Sequence, residues 1–188
     1  MRVGVLTLQG DFREHLAALK KLGVEGCGVR TIEDLEKVDG LIIPGGESTT
    51  IANLLEKSGL FSALKERGKN GFPMYGTCAG EILLAKEITN YPNSYLGLID
   101  ITVRRNAYGR QVDSFEADLH IKNIGAFHAV FIRAPIIEWV GPKVEVLAEH
   151  EGIPVMAQQK NILVSSFHPE LTNDLRIHEY FMRLIEGR

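Results

Sequence analysis

Hydrophobic positions along the first half of the chain follow two periods in turn. Val3–Leu8 is a continuous apolar run with β-branched residues, which is typical of a strand buried on both faces. Apolar residues then recur at helical spacing up to Gly23 and predict an amphipathic helix: Phe12, Leu16, Leu19 and Leu22. The same succession continues to residue 85. The further strands predicted are Val24–Arg30, Leu41–Ile43 and Phe72–Tyr75, and the helices are Thr31–Lys37, Ser48–Gly59, Phe61–Arg67 and Ile82–Ala85.

Polar residues at the predicted helix starts indicate side-chain caps. Asp11 and Glu14 have the spacing of a capping box. Thr31 and Ser48 precede the second and third helices, where a hydroxyl can accept a hydrogen bond from a free backbone N–H group. We therefore expect these residues to set where the helices begin.

The second half of the chain is richer in strand-like segments. Polar or Gly/Pro turns separate them, and they are Ile101–Arg104, Val112–Leu119, Ala129–Ile132, Val144–Ala148 and Val155–Gln158. Ile162–Phe167 is again a continuous buried run. Thr172 or Asn173 is then expected to cap a last helix, whose apolar face carries Ile177, Phe181, Leu184 and Ile185.

The order of these elements predicts the fold class. Alternating strands and helices favour an α/β fold with an open, mostly parallel central sheet and helices on both faces. The second half adds further strands, which we expect to be antiparallel. No repeat, low-complexity stretch or linker divides the sequence, so residues 1–188 are predicted to form a single domain.

Composition and charge narrow the function classes. Hydrophobic residues make up 45% and charged residues 24% of the 188 residues, which is ordinary for a globular protein. The formal net charge is -3 and no Lys/Arg run stands out, so nucleic acid is not the expected main partner. No apolar run approaches the ~18 residues of a membrane span, and the first run is too short for a signal sequence. Two cysteines do not make a disulfide framework, so we expect a cytoplasmic location.

The sequence Gly76-Thr77-Cys78-Ala79-Gly80 lies between a predicted strand and a predicted helix. A cysteine there suits a nucleophile, because the helix dipole and nearby N–H groups favour the thiolate and glycines allow a cramped turn. By analogy with the nucleophile elbow of α/β hydrolases, the N–H of Ala79 is expected to help form an oxyanion hole. The alternative is a buried, inert cysteine, which is our interpretation of Cys27.

His168-Pro169-Glu170 follows the last buried run, at the strand edge where open α/β sheets bind ligands. If the segment is extended, residues two apart point to the same side, so Glu170 can reach one imidazole nitrogen of His168 while the other faces Cys78. Pro169 favours this extended geometry. Alone, the tripeptide is a weak signal and is more often a simple strand exit. With Cys78 it predicts a Cys-His-Glu triad.

The segment from Pro44 to Thr50, Pro-Gly-Gly-Glu-Ser-Thr-Thr, joins a buried strand to a predicted helix. Its N–H groups can bind a carboxylate or an oxyanion, because helix N-termini attract negative charge. A plain glycine turn with a serine cap is an equally good interpretation of this segment alone.

Taken together, these segments resemble the class I, triad-type glutamine amidotransferases. The similar stretches keep the family's order and are Gly4–Gly10, Leu41–Thr50, Gly76–Gly80, Val130–Pro135 and Phe167–Thr172. The cysteine and His-Pro-Glu motifs are typical of the superfamily. Gly-Gly-Glu-Ser-Thr-Thr and Phe-Ile-Arg-Ala-Pro are similar to its vitamin B6 branch, the glutaminase subunits of pyridoxal 5′-phosphate synthases. The resemblance implies a flavodoxin-like, three-layer fold.

The resemblance also implies roles for particular positions. Cys78, His168 and Glu170 match the catalytic triad. The positions that match substrate-binding residues are Gly46, Glu47, Ser48, Arg105, Ile132 and Arg133, and Gly46 also matches an oxyanion-hole donor beside Ala79. An arginine suits the α-carboxylate of an amino acid through paired hydrogen bonds. Judged from the residues alone, Arg104 or Arg105 is as well explained as a solvated strand charge.

The activity implied is hydrolysis of L-glutamine to L-glutamate and ammonia through a γ-glutamyl thioester. No metal or organic cofactor is needed for these steps. Ammonia is largely protonated near neutral pH and is then no nucleophile, so the product should pass directly to a partner. The family implies a hetero-oligomer with a synthase subunit that makes pyridoxal 5′-phosphate.

Other functions stay open from the sequence. One alternative is a glutaminase that serves another synthase, such as imidazole glycerol phosphate synthase or a purine enzyme. Another is a related hydrolase of γ-glutamyl peptides. A cysteine sensor or chaperone of similar architecture would need Cys78 but not the His-Pro-Glu pair. A purely structural interaction protein would need neither.

Glu81 departs from the resemblance, because the vitamin B6 branch usually has an apolar residue after Gly80. A carboxylate in the first helical turn suits the helix dipole. Close to Cys78, its negative charge is also expected to disfavour the thiolate.

Overall fold

A computed structural model describes residues 1–89, 91–92, 95–105 and 114–187. Its strands are β1 (Arg2–Leu6), β2 (Glu25–Val29), β3 (Gly40–Ile43), β4 (Met74–Thr77), β5 (Ala85–Ile88), β6 (Ile99–Arg104), β7 (Ser114–Ile121), β8 (Gly125–Ile132), β9 (Ile136–Val140), β10 (Glu145–His150), β11 (Ile153–Gln159) and β12 (Ile162–Ser165). Its helices are α1 (Phe12–Lys21), α2 (Ile32–Leu35), α3 (Ser48–Lys57), α4 (Leu60–Lys69), α5 (Ala79–Leu84) and α6 (Arg176–Ile185), with a short 3-10 helix at Pro169–Leu171. None of these helices has the length and apolar character needed to cross a membrane.

The central sheet has the strand order β10-β11-β12-β4-β3-β1-β2 within the described residues. Strands from β12 to β2 are parallel, whereas β10 and β11 are antiparallel at one edge. A smaller sheet, β5-β6-β9, and a two-stranded hairpin, β7-β8, complete the strands. The predicted α/β fold with a mostly parallel sheet and added antiparallel strands is confirmed.

The central strands send alternate side chains into two hydrophobic cores. In β3, Ile42 enters one core, while Leu41 and Ile43 enter the other. The core around Ile42 contains residues of α1, α6 and the β7-β8 hairpin, and the opposite core contains residues of α3, α4, α5 and the smaller sheet. Apolar residues are therefore needed on both faces, which explains the continuous apolar runs of the parallel strands.

The predicted caps of α1 and α6 are wrong, whereas that of α2 is confirmed. Thr31 caps α2 in a capping box, as predicted. Asp11 makes no side-chain hydrogen bond to α1, because its carboxylate turns toward a histidine ring described below. Neither Thr172 nor Asn173 caps α6, which begins only at Arg176. The Thr172 hydroxyl instead donates to a carbonyl of the 3-10 helix.

Strand boundaries in the second half differ from the prediction in particular places. β5 and β9 were not predicted, because β5 follows α5 without a turn and β9 carries the exposed Trp139 among its apolar residues. β7 begins at Ser114, and residues 112–113 of the predicted strand lie outside the described residues. β12 ends at Ser165, two residues earlier than the apolar run.

Candidate active site

Cys78 lies on the tight turn between β4 and α5, at the C-terminal end of the parallel strands. Its φ of 50° and ψ of -101° are rare for a residue with a side chain. The turn is held in place by the Cys78 N–H, which donates to the carbonyl of Ser165 on β12 at 2.8 Å. Strained backbone of this kind persists where the surrounding structure enforces it, and it is typical of a nucleophile elbow.

The two glycines that flank this turn are required by close backbone approach. A Cβ on Gly80 would collide with the carbonyl oxygen of Ile43, and a Cβ on Gly76 would lie 2.5 Å from the carbonyl of Gly80. The Gly-x-Cys-x-Gly spacing thus allows β4, α5 and the end of β3 to meet.

His168 and Glu170 follow β12 and are both buried. Nδ1 of His168 lies 2.7 Å from Oε1 of Glu170, and the His168 N–H donates to the carbonyl of Val130 on β8. The sequence predicted an extended segment here. Pro169–Leu171 instead form the 3-10 helix. The turn nevertheless brings the carboxylate back onto the imidazole.

Hydrogen bonds shift the proton affinity of the histidine. Burial lowers the pKa of His168, but its hydrogen bonds with Cys78 and Glu170 outweigh burial and raise the pKa to about 10. Burial also raises the pKa of Glu170, against the hydrogen bond with His168, which lowers it. At neutral pH His168 therefore favours its protonated form, so it can hold the proton that it takes from the neighbouring thiol.

The loop after β3 packs closely against His168. A Cβ on Gly45 would collide with Cε1 of His168, so the loop needs glycine at this point. The N–H of Glu47 donates to Oε1 of Gln9 at 2.9 Å, which ties this loop to the segment after β1.

Glu47, and not Ser48, caps α3. The Glu47 carboxylate accepts hydrogen bonds from the N–H groups of Thr49 and Thr50 at 3.1 and 2.7 Å. Ser48 begins the helix, and its buried hydroxyl has no hydrogen-bond partner among the described residues. The longer glutamate side chain reaches back to the first turn, so the serine is not needed as a cap.

The predicted site residues line a common pocket of about 380 Å³. It contains all six predicted substrate-binding positions, Gly46, Glu47, Ser48, Arg105, Ile132 and Arg133, together with Cys78, Ala79 and His168. Glu170 lies behind His168. The remaining lining residues are Gln9, Asp11 and Ile82. A cavity of this size suits a small molecule about as large as an amino acid.

The two arginines at the end of β6 have different surroundings. Arg105 points into the pocket, with Nη2 3.0 Å from Oε1 of Glu47 and its guanidinium over the ring of Tyr91. Arg104 forms an ion pair with Glu138 at 3.0 Å and is more exposed. The solvated-charge interpretation therefore fits Arg104, and Arg105 is the one that lines the pocket.

Ile132 and Arg133 lie at the end of β8, beside the cysteine. The Cys78 thiol is 3.6 Å from the carbonyl oxygen of Ile132. Arg133 has a φ of 45°, so a second residue of this pocket adopts a backbone conformation that side chains disfavour. Such residues cluster at functional sites.

Glu81 does not place a charge beside Cys78, so the expectation of an opposing charge is wrong. Its side chain is fully buried and accepts hydrogen bonds from the Ser166 hydroxyl at 3.2 and 3.0 Å. Burial raises the pKa of Glu81 well above its ordinary value, which favours the uncharged form of the carboxyl. It is also absent from the residues that line the pocket.

Asp11, His168 and Glu170 are close enough to hold a metal ion, with ligand atoms within 4.8 Å of one another. Nδ1 of His168 is, however, engaged with Glu170, and Asp11 lies farther away, at 3.7 Å. A proton on Nδ1 leaves no lone pair for a metal. The arrangement therefore fits an oriented base better than a metal centre.

Sequence reasoning missed polar residues that lie behind and beside the triad. No sequence motif singled out His15, which is fully buried with Nε2 3.4 Å from Oε2 of Glu170. Its spacing from Phe12 and Leu19 on the apolar face of α1 was the available signal.

Cys27 is half-buried in β2, away from the pocket, and burial raises its pKa.

Comparison with known proteins decides among the triad hydrolases. Residues 5–187 match the family described as "SNO glutamine amidotransferase family". The chain belongs to this family. A family structure described as a glutamine amidotransferase has a TM-score of 0.95 and 53% identity, covering 98% of each chain.

Relatives across the family are similar over almost their whole length. Two relatives are named pyridoxal 5′-phosphate synthase subunit PdxT. The one from Fervidobacterium nodosum is 59% identical, and the match covers 99% of this chain and 98% of that protein. The one from Mycobacteroides abscessus is 58% identical, and the match covers 98% of this chain and 97% of that protein. PurLQS from Thermotoga maritima is only 15% identical at a TM-score of 0.71, covering 99% of this chain and 97% of that chain, and shows the shared fold alone.

Proposed function

We propose that this chain is the glutaminase subunit of a pyridoxal 5′-phosphate synthase and hydrolyses L-glutamine to L-glutamate and ammonia. The observation that carries this proposal is the elbow cysteine, which faces the buried His168–Glu170 pair inside an amino-acid-sized pocket. The pathway is supported by relatives with this name at 53–59% identity along the chain. We assign the activity to one domain of residues 1–188 and, because it needs a free thiol, to the cytoplasm.

The proposed reaction begins when His168 takes the proton of the Cys78 thiol. The sulfur attacks the side-chain amide carbon of glutamine, and the resulting oxyanion accepts hydrogen bonds from the N–H groups of Gly46 and Ala79, each worth ~3 kcal/mol in studied hydrolases. His168 returns the proton to the leaving nitrogen, which departs as ammonia. A water, deprotonated by His168, then cleaves the γ-glutamyl thioester to give glutamate and restore the thiol.

Two charged residues that line the pocket are suited to the charged end of an amino acid. Arg105 and Glu47 form an ion pair there, at 3.0 Å, and both are partly exposed to the pocket. A guanidinium binds a carboxylate through paired hydrogen bonds, and a carboxylate binds an ammonium group. We assign the α-carboxylate of glutamine to Arg105 and its α-ammonium group to Glu47, with Ser48, Ile132 and Arg133 around the side chain.

The proposed partner is the synthase subunit of the same enzyme. Ammonia released into water would be protonated and would lose its nucleophilicity, so direct transfer to the synthase is needed. The names of the relatives describe a subunit of such a synthase.

The test measures glutamate release from L-glutamine with and without a pyridoxal 5′-phosphate synthase subunit, with Cys78→Ser as the blank. We expect activity that depends on Cys78 and rises when the synthase is added. Glutaminase activity that is indifferent to this synthase, but rises with another, would replace the vitamin B6 assignment. No glutamate release in any combination would contradict the glutaminase and favour a cysteine sensor.

A further inference from the structure

Two buried histidines lie behind the triad and take no part in the proposed reaction. His15 on α1 and His178 on α6 are fully buried, with His15 Nδ1 3.0 Å from His178 Nε2. The other nitrogen of His15, Nε2, lies 3.4 Å from Oε2 of Glu170 and 3.3 Å from Oγ1 of Thr77. Burying polar rings costs free energy unless they are hydrogen-bonded, so their placement at the triad calls for a physical account.

Both rings are neutral at neutral pH. Burial lowers the pKa of His15 well below its ordinary value, and the neighbouring His178 and His168 lower it further. Burial lowers the pKa of His178 to about 4. A neutral imidazole has one N–H donor and one bare nitrogen, so only two arrangements of protons are compatible with the contact between the rings.

In the first arrangement, His15 carries its proton on Nε2, which faces both Oγ1 of Thr77 at 3.3 Å and Oε2 of Glu170 at 3.4 Å, and Nε2 of His178 donates to Nδ1 of His15. In the second, a bare Nε2 of His15 faces the carboxylate and His178 carries its proton on Nδ1, which has no partner among the described residues. Nδ1 of His178 is unpaired in both arrangements and does not decide between them. The first arrangement is favoured because it sets an N–H group near the Glu170 carboxylate, whereas the second sets a bare nitrogen 3.4 Å from a carboxylate oxygen.

Glu170 needs such a donor. His168 occupies Oε1, whereas Oε2 is buried without a hydrogen-bond partner among the described residues and lies 3.4 Å from Nε2 of His15. The charged or titratable groups that face Glu170 are His168, His15, Asp11 and Tyr75. Asp11 repels the carboxylate, and the tyrosine hydroxyl is engaged with Ser165. His15 is thus the group placed to hold Oε2, and catalytic hydrogen bonds often shorten once substrate is bound.

We propose that His15 is a positioning residue of the triad, which holds Glu170 by its second carboxylate oxygen and keeps it ionised, while His178 fixes the tautomer of His15. This inference rests on the proposed glutaminase activity. His15 acts through Glu170 on His168 and does not itself touch the pocket. Its contact with Thr77 links the same group to the residue before Cys78.

The test compares His15→Leu and His15→Gln with the wild type, in the presence of the synthase subunit. We expect His15→Leu to lower kcat by ~10–100-fold with little change in KM. An effect of this size is typical when a side chain that orients metal-binding residues through hydrogen bonds is removed. Its activity should also require a higher pH, because Glu170 without a donor is protonated more easily. His15→Gln, whose amide N–H can take the place of Nε2, should restore most of both properties. His120→Leu, on the exposed face of β7, is the matched control and should behave as wild type.

The outcomes separate this inference from the proposed function. Wild-type protein that releases no glutamate contradicts the glutaminase itself. An active wild type with unchanged kcat and pH dependence in His15→Leu overturns the positioning role. Nitrogen-15 NMR of the wild-type histidines requires no variant: a proton on Nε2 of His15 is expected, and a proton on Nδ1 overturns the proposal even if the variants fail to fold.

Discussion

Glu81 shows how one residue can tie stability to pH without touching the reaction. Its buried carboxyl has a pKa raised well above 4.5, first because of burial, while the hydrogen bond from Ser166 acts in the opposite direction. The folded protein therefore keeps a proton that the unfolded chain releases. Stability is fully present below the unfolded pKa and is lost as the pH rises through the folded pKa.

Glu81→Gln should remove this loss. One proton bound in the folded state alone changes the free energy of unfolding by about 1.4 kcal/mol per pH unit. Above about pH 5, the stability of the variant relative to the wild type should therefore rise by about this amount for each pH unit. Urea unfolding at several pH values measures the difference. Glu56→Gln, on the exposed face of α3, is the control and should follow the wild type. Parallel curves for Glu81→Gln and the wild type would contradict a buried neutral carboxyl.

At the level of elements, the start of α3 joins helix stability to substrate binding. Glu47 caps the helix and pairs with Arg105. Glu47→Ala should therefore cost ~1 kcal/mol of stability, as lost caps do, and should also raise KM for glutamine. Thr31→Ala removes the cap of α2, away from the pocket, and should show the stability loss with an unchanged KM. An unchanged KM in both variants would remove Glu47 from substrate binding.

The elbow depends on the fit between α5 and the end of β3. Gly80→Ala would push a methyl group into the carbonyl of Ile43, which is backbone and has little freedom to move. We expect a loss of ~1–3 kcal/mol, the usual cost of overpacking, and a large fall in glutaminase activity. Gly28→Ala meets only the side chain of Thr7, at 3.0 Å, and should cost less. Equal stability of the two variants, measured by thermal unfolding, would show that the elbow is not cramped.

At the level of the whole molecule, the pocket joins segments that are distant in the sequence, from Gln9 to His168. A ligand that bridges them stabilises the folded state alone. Cys78→Ala, which cannot form the thioester, should gain about 2.7 kcal/mol from L-glutamine at a hundred times its Kd. Adding Arg105→Gln to this variant should abolish most of the gain, whereas an equal gain in the double variant would exclude Arg105 from binding the substrate.

Much of this molecule was predictable because its signals are local or repeated. Continuous apolar runs such as Val3–Leu8 indicated strands buried on both faces, and Gly-x-Cys-x-Gly indicated the elbow. The cap of α3 was not predictable, because either Glu47 or Ser48 had suitable chemistry and the choice depended on the reach of a side chain. His15 was missed for a different reason, since its partner Glu170 is 155 positions away and becomes a neighbour only when α1 docks on the sheet.

The contact between Glu81 and Ser166 has a consequence for sequence variation. A relative with an apolar residue at position 81 has no buried carboxyl there and gains nothing from a hydroxyl at position 166. A relative with glutamate at position 81 needs a hydrogen-bond donor at position 166. The two positions are 85 residues apart and lie on different elements, yet selection should act on them jointly. Among relatives, glutamate at position 81 is therefore expected to coincide with serine or threonine at position 166, and free mixing of the two positions in an alignment would contradict this coupling.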